Sequence, residues 1–531
     1  MLMLPAILER SVRQYPHQPA LAASGADQIW SYHELGQQVG RWSNRLRALR
    51  LDAGDRVLLL LESSPDWVAG LFALWRAGLV GVPLTVNATP EVVQAATNWT
   101  AARAVIHSPQ TAPLLSMVPK LQRLCVADTN ATDDVIEDVE FSVNNSDSLA
   151  LLGLTSGSTR QPRLVELTHG NLAANLHSLI QVRGGGPGDA MLCMLPAAHL
   201  FGLMVGVMAP LACGARAVFP GALLPNRLVN ALREEHITHA LSVPALAEAF
   251  MLEVIGSVGC AESGVSQSAP NNLLEAIGRL REAGAKAGPE VLRETLRARL
   301  GNSFQCLILG AAAVGPIWSD LERLLGLRIE VGYGLTEASP IVSLGHVTEM
   351  PPASVGRPVP QVQVRIGERG EILVKGPNVM RGYHRDAQAT ATALQSGWLR
   401  TGDYGTLDEQ GFLFVIGRLK EALVTAAGET IYPEEAEPHY SSPLFVEYCV
   451  AGQMDANGND CPTLFVVCRD DSISDQLVVQ TFRDLRAAAP TRLRCERMIR
   501  LDQFLPRTPI GKVNRRQLTG LSFHQDQIFN A

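Results

Sequence analysis

The chain has 531 residues, 47% of them hydrophobic, with 46 Gly and 32 Pro along its length. That length exceeds what one simple core accommodates, so two or more domains are expected. A formal net charge of −7 speaks against a nucleic-acid binder, which shows a basic balance. The nine cysteines form no CxxC pair, which reads as reduced thiols of the cytoplasm, with neither a disulfide framework nor a zinc site. The first residues lack the basic start and small-residue cleavage site of a signal peptide. No apolar run reaches the roughly 18 residues of a spanning helix. Residues 200–213 come nearest. They are too short, and Pro210 interrupts them, so a buried core helix is expected; peripheral membrane contact stays open.

In chain order, Leu35, Val39, Trp42 and Leu46 predict an amphipathic helix over 32–49. Residues 55–61 read as a buried strand, 67–77 as a helix and 80–84 as a further strand. Helices alternating with continuous apolar strands imply an α/β sheet, largely parallel. Residues 148–154 read as a strand entering a core. Then come Thr155, Ser156, Gly157, Ser158 and Thr159, followed by Arg160 and Arg163 on either side of Pro162. Gly157 lets the backbone turn tightly and approach a ligand. Hydroxyls and N–H groups donate to oxyanions, and arginine neutralises them. This is chemistry for gripping phosphate, although the GxxxxGK[ST] loop is absent; alone, it is equally a polar turn.

Residues 171–182 are expected to be helical, and 190–196 a strand leading to His199, which by itself reads as a packed histidine. Residues 256–288 look like a loop with a charged helical segment, followed by a helix over 290–300 and a strand over 305–309. The small residues Gly310, Ala311, Ala312 and Ala313 leave room for a flat or long ligand, or pack closely. In 330–337, Gly332 and Gly334 flank Tyr333, whose ring is suited to stack on a base. Thr336 can hydrogen-bond phosphate, and Glu337 offers a hard oxygen ligand for Mg2+. Taken alone, this stretch is a turn. Residues 355–415 change to short strands (362–366, 371–375, 412–416), suggesting a small β subdomain. Asp403, beside Gly402, is suited to a ribose diol or to a turn. After a boundary at 417–421, residues 421–531 read as a compact α/β segment with strands at 445–450 and 463–468. Pro506 and Pro509 stiffen a loop that presents Lys512.

The joint order of TSGSTRQPR, YGLTE, GWLRTGD, GRLKE with GETIYPEEAE, and PRTPIGKVNRR resembles the adenylate-forming superfamily of acyl-CoA synthetases, peptide-synthetase adenylation domains and luciferases. The likeness covers nearly the whole chain. It implies an α/β fold: an N-terminal AMP-binding domain (1–416) of stacked sheets, helices and a small β subdomain, a hinge (417–420), and a mobile α+β C-terminal domain (421–531). It also implies two steps. A carboxylate attacks the α-phosphate of ATP, giving acyl-AMP and pyrophosphate. The thiol of CoA, or of carrier-protein phosphopantetheine, then displaces AMP.

By resemblance, Thr155, Ser156, Gly157, Ser158, Thr159 and Arg163 would hold the β- and γ-phosphates. Gly310, Ala311 and Gly334 would complete the nucleotide site, with Tyr333 stacked on adenine. Thr336 would touch the α-phosphate, Glu337 would bind Mg2+, and Asp403 and Arg418 would fix the ribose. Lys512 would bridge carboxylate and α-phosphate. Lys420 falls at the hinge position, Gly428 in the loop facing the thiol donor, and His199 at the aromatic gate. This sequence departs from the family loop TSGSTGxPKG at Arg160, Arg163 and Leu164. Arg163 keeps the charge and gains a bidentate fork. Arg160 costs about 1 kcal/mol or more if its position needs φ > 0. ETLRARLGNSF and GRLKEALVTAAGETIYPEE are similar to long-chain fatty acyl-CoA synthetases, so a medium- or long-chain fatty acid is the expected substrate. An aromatic acid, or a non-catalytic nucleotide- or acyl-binding relative, is the alternative. A monomer or homodimer is expected.

Overall fold

The structure is a computed structural model. It describes residues 3–530 except 26–28, 129–144, 156–162, 257–272, 311–313, 316, 426–428, 455–459, 471, 508–512, 522 and 524–526. The chain forms two compact units. One comprises Met1–Thr155, Arg163–Val364 and Val374–Leu399; the other includes Arg365–Leu373 and the chain from Arg400 onward. The segment 417–420 lies within the second unit.

The first unit carries two sheets. The seven-stranded sheet runs in the order Gly382–Tyr383, Leu164–Thr168, Leu149–Leu154, Val80–Pro83, Arg56–Leu60, Ala104–His107 and Gln122–Cys125. Its last five strands are parallel, and Leu58, Leu59 and Leu60 are fully buried, as sheets covered on both faces require. The nine-stranded sheet has a parallel centre, including His239–Ser242, Cys306–Gly310 and Arg328–Gly334, with antiparallel edges.

The helices start where their caps dictate. Ser31 and Glu34 form a capping box for Tyr32–Ala48, and Ser64 caps Pro65–Arg76 with proline in its first turn. These two helices pack on one another, and the Trp75 indole donates to the Ala150 carbonyl at 2.9 Å, tying helix to sheet. The expected core helix over 200–213 is a π-helical turn, Gly202–Met208, continued by Ala209–Cys213, and its first seven residues are buried. A Cβ at Gly202 would lie 2.3 Å from the Pro196 carbonyl, so only glycine enters this turn.

The second unit has a four-stranded sheet, Phe445–Met454, Asp460–Cys468, Arg497–Leu501 and Ile528–Asn530, with one core cluster around Tyr440 and Phe482 and another around Phe465. The strands Trp398–Leu407 and Leu413–Arg418 pair antiparallel. Among the described residues, no helix is long and apolar enough to cross a membrane.

Candidate active site

Four strands and a helix are labelled here: β1 (Leu149–Leu154), β2 (Leu164–Thr168), α1 (His169–Arg183), β3 (Cys306–Gly310), and β4 (Arg328–Gly334). The hydroxyl-rich stretch connects the antiparallel pair β1 and β2. Ser156, Gly157, Ser158 and Thr159 lie outside the described residues, but its two feet are visible. The Thr155 N–H donates to the Arg163 carbonyl at 2.9 Å, and the Arg163 N–H donates to the Thr155 hydroxyl at 3.3 Å. Behind the loop, Thr168 and Asn171 form a capping box for α1. His169, packed edge-on to Trp75 at 5.9 Å, is pushed down to about 4 by burial and stays neutral.

Residues 330–337 are not a turn throughout. β4 runs to Gly334, and Thr336–Ala338 form a single 3-10 turn. The strand persists because Tyr333 pairs with Ser343 across an antiparallel edge. A Cβ at Gly334 would lie 1.8 Å from the Pro340 carbonyl, so glycine is obligatory there. Tyr333 is half-buried. A Cβ at Gly153 would lie 3.0 Å from the Thr336 methyl carbon, so β1 runs directly beneath the 3-10 turn. Asn378 donates to the Ala338 carbonyl at 2.8 Å, and the Met380 N–H donates to the Glu337 carbonyl at 2.8 Å.

The short strand β5 (Gly382–Tyr383) pairs with β2 and brings in a residue the sequence reading missed. The Tyr383 hydroxyl donates to Glu337 Oε1 at 2.9 Å, and its ring lies 5.1 Å from the Arg163 guanidinium carbon. Asp386 sits 4.0 Å from Arg163 Nε. Thr155, Arg163, Thr336 and Glu337 therefore converge, with Tyr383 and Asp386 added. No periodicity marks Tyr383; only the pairing of β5 with β2 brings it here.

At Gly310, the end of β3, a Cβ would lie 2.6 Å from Cζ of Phe201. The room expected there is filled by that ring, so close packing is the outcome at Gly310. His199 is half-buried two residues before Phe201, its carbonyl accepting from Leu203 N–H at 2.8 Å. Ala311 lies outside the described residues.

In the second unit, Asp403 is not in a turn. It sits within Trp398–Leu407, opposite Arg418 in register, because Gly402 at φ 72° and the shift after Tyr404 let the strand continue. The Asp403 carboxylate is 5% exposed and 3.1 Å from Arg418 Nε. Lys420 is exposed on the turn Leu419–Glu421. Gly428 and Lys512 lie outside the described residues. The feet of the Lys512 loop are held: Arg507 bridges to Val513, and the Asn514 N–H donates to the Pro506 carbonyl at 2.6 Å. Two positions later, Arg515 donates to Glu421 at 3.0 Å, Glu434 at 2.9 Å, Glu437 at 2.8 Å and the Val450 carbonyl at 3.1 Å.

A model of the family described as AMP-binding enzyme matches residues 8–384. The chain belongs to the AMP-binding enzyme family. It is 30% identical over 527 residues to a feruloyl-CoA synthase of an Amycolatopsis species, covering 95% of this chain and 96% of that protein. It is 28% identical over 473 residues to a long-chain-fatty-acid–CoA ligase of Mycobacterium bovis, covering 80% and 76%. Among solved structures, o-succinylbenzoate CoA synthetase of Bacillus subtilis, in complex with an acyl-adenylate, aligns with a TM-score of 0.80 at 22% identity over 98% of this chain and 99% of that one. This last likeness fixes the fold, the adenylate-forming one. The AMP-binding enzyme is an AMP-forming acid–thiol ligase, with ATP, Mg2+ and CoA as its cofactors.

The residues fit these groups. Among the described residues, no cluster of three or more metal-binding side chains forms. Mg2+ is held through one or two carboxylates, with phosphates and water completing its shell. Glu337, half-buried and steadied by Tyr383, is such a carboxylate. The Arg163 side chain is 41% exposed, which leaves donors for phosphate.

Proposed function

We propose that this ligase joins a hydrophobic carboxylic acid to CoA. The convergence of Arg163, Thr336 and Glu337 at the feet of one loop carries the reading. Acid and ATP are both anionic, so the residues must neutralise charge and place the nucleophile in line. Mg2+, when bound, offsets phosphate charge. Arg163 and Thr155 steady the β- and γ-phosphates, Thr336 the α-phosphate, and Tyr333 the base. In the second unit, Asp403 accepts from the ribose hydroxyls, oriented by Arg418. Lys512 bridges acid and α-phosphate in the first step, and residues 417–420 act as the hinge between steps. The free thiols among the described cysteines agree with a cytoplasmic location.

A medium- or long-chain fatty acid is the first reading of the substrate, supported by the buried apolar segment Gly202–Met208 and by the long-chain ligase relatives. An aromatic acid is the second, favoured by the Phe201 ring over Gly310 and by the feruloyl-CoA synthase relative. Carboxylate-dependent ATP–pyrophosphate exchange across fatty acids of graded length and a set of aryl acids decides between them. A peak at one chain length supports the first reading, and aryl acids winning replaces it with the second. Silence across both sets sinks the ligase reading of this site. Repeating the thioester step with free CoA and with a loaded carrier protein separates the acceptors. Lys512→Ala is expected to abolish exchange yet leave thioester formation from supplied acyl-AMP largely intact.

A further inference from the structure

The contact between Tyr383, Glu337 and Arg163 belongs to none of the motifs that define the site. Three separate pieces of chain supply it: the second foot of the β1–β2 loop, the 3-10 turn Thr336–Ala338, and β5. β5 itself is firmly placed. Tyr383 pairs with Val165, its N–H donates to the Thr390 hydroxyl at 2.9 Å, and the His384 N–H donates to the Leu164 carbonyl at 2.8 Å. A Cβ at Gly382 would lie 2.8 Å from the Thr390 methyl, so the strand is pressed onto the helix Ala387–Ala393 that Asp386 caps. The ring is thus a fixed post rather than a surface side chain.

We propose that Tyr383 is a positioning residue for ATP and its metal: its hydroxyl aims the Glu337 carboxylate, and its ring face seats the Arg163 guanidinium. The assignment rests on the ligase reading above. A carboxylate that accepts from a phenol is held in one orientation, as partners behind metal ligands hold theirs. The ring explains why arginine replaces the family's lysine at position 163. A planar guanidinium stacks on an aromatic face and still presents its fork, whereas an ammonium is a compact point charge. Asp386, at 4.0 Å and 44% exposed, holds the guanidinium laterally without consuming it.

The two halves of the role separate by substitution. Tyr383→Phe keeps the platform and loses the hydroxyl. ATP binding measured by calorimetry is expected to need about tenfold more Mg2+ to reach wild-type affinity. Affinity in the absence of Mg2+ should be unchanged. Tyr383→Leu loses both, so Mg2+-free affinity is expected to fall as well, about three- to tenfold. Arg163→Lys tests the platform without touching Tyr383: Mg2+-free affinity falls, and the Mg2+ requirement stays. A purely structural Tyr383 would lower melting temperature and all affinities together, with no change in Mg2+ dependence, and that outcome overturns the proposal. Wild-type protein whose ATP binding ignores Mg2+ would overturn the ligase reading and this inference together. A Mg2+-dependent wild type matched by Tyr383→Phe would overturn this inference alone.

Discussion

Around Arg163, a guanidinium 41% exposed meets one carboxylate at 4.0 Å and one aromatic face. Around Arg515, a guanidinium 18% exposed meets three carboxylates at 2.8–3.0 Å. The first cluster leaves donors unspent toward solvent, where an anionic ligand can take them. The second is closed: every direction in which Arg515 could bind an anion already holds one of its own chain. Glu421 follows the hinge-position Lys420, while Arg515 follows the Lys512 loop, so this closed cluster fastens both segments into one body within the second unit. Exposure and stoichiometry, rather than residue type, separate a binding cluster from a structural one.

The comparison breaks most sharply at Arg515. Arg515→Met leaves three half-buried carboxylates without their cation and is expected to lower stability by up to about 3–5 kcal/mol, read by denaturant unfolding. A loss below about 1 kcal/mol would mean that the cluster is not structural. Next comes Glu337→Gln, where stability should hardly change but adenylate formation should fall about 10²–10³-fold, read by pyrophosphate exchange at saturating Mg2+. Unchanged exchange would remove Glu337 from the metal site. The third effect is a pH dependence. Burial pushes Glu434 from 4.5 up to about 7, with Glu421 and Glu437 adding to the rise and Arg515 opposing it. The folded state therefore retains this proton after the unfolded chain has lost it. Its contribution to stability is full below about 4.5, declines as pH rises toward 7, and is level above. Glu434→Gln should flatten that decline, with unfolding free energies at pH 5 and pH 8 converging by about 1–2 kcal/mol. Equal slopes in variant and wild type would show that Glu434 ionises normally. The smallest effect is expected at Arg163→Lys, about threefold in ATP KM.

Much of the fold was legible because parallel strands buried on both faces read as unbroken apolar runs: Leu58, Leu59 and Leu60 announce themselves. The helix over 32–49 followed from its four apolar positions and ends at Ala48. Local motifs pointed to Arg163, Thr336 and Glu337, which the structure brings together. What escaped was whatever depends on distant pairing. Tyr383 enters only because β5 adds to β2, more than two hundred residues earlier, and no window of sequence contains both. Asp403, suited by its sequence to a ribose diol or to a turn, lies in a strand that Arg418 sets across the ladder. Of the two readings of Gly310, room for a ligand or close packing, the second holds, because Phe201 folds over it from another segment.

The hydrogen bonds joining Thr155 to Arg163 have a consequence for how this chain tolerates change. Bringing the ends of a loop together costs entropy, and here the ladder of β1 on β2 meets that cost below the loop. A proline at position 163 would remove the N–H that donates to the Thr155 hydroxyl, and would unfasten this foot while the pairs beyond it stay in register.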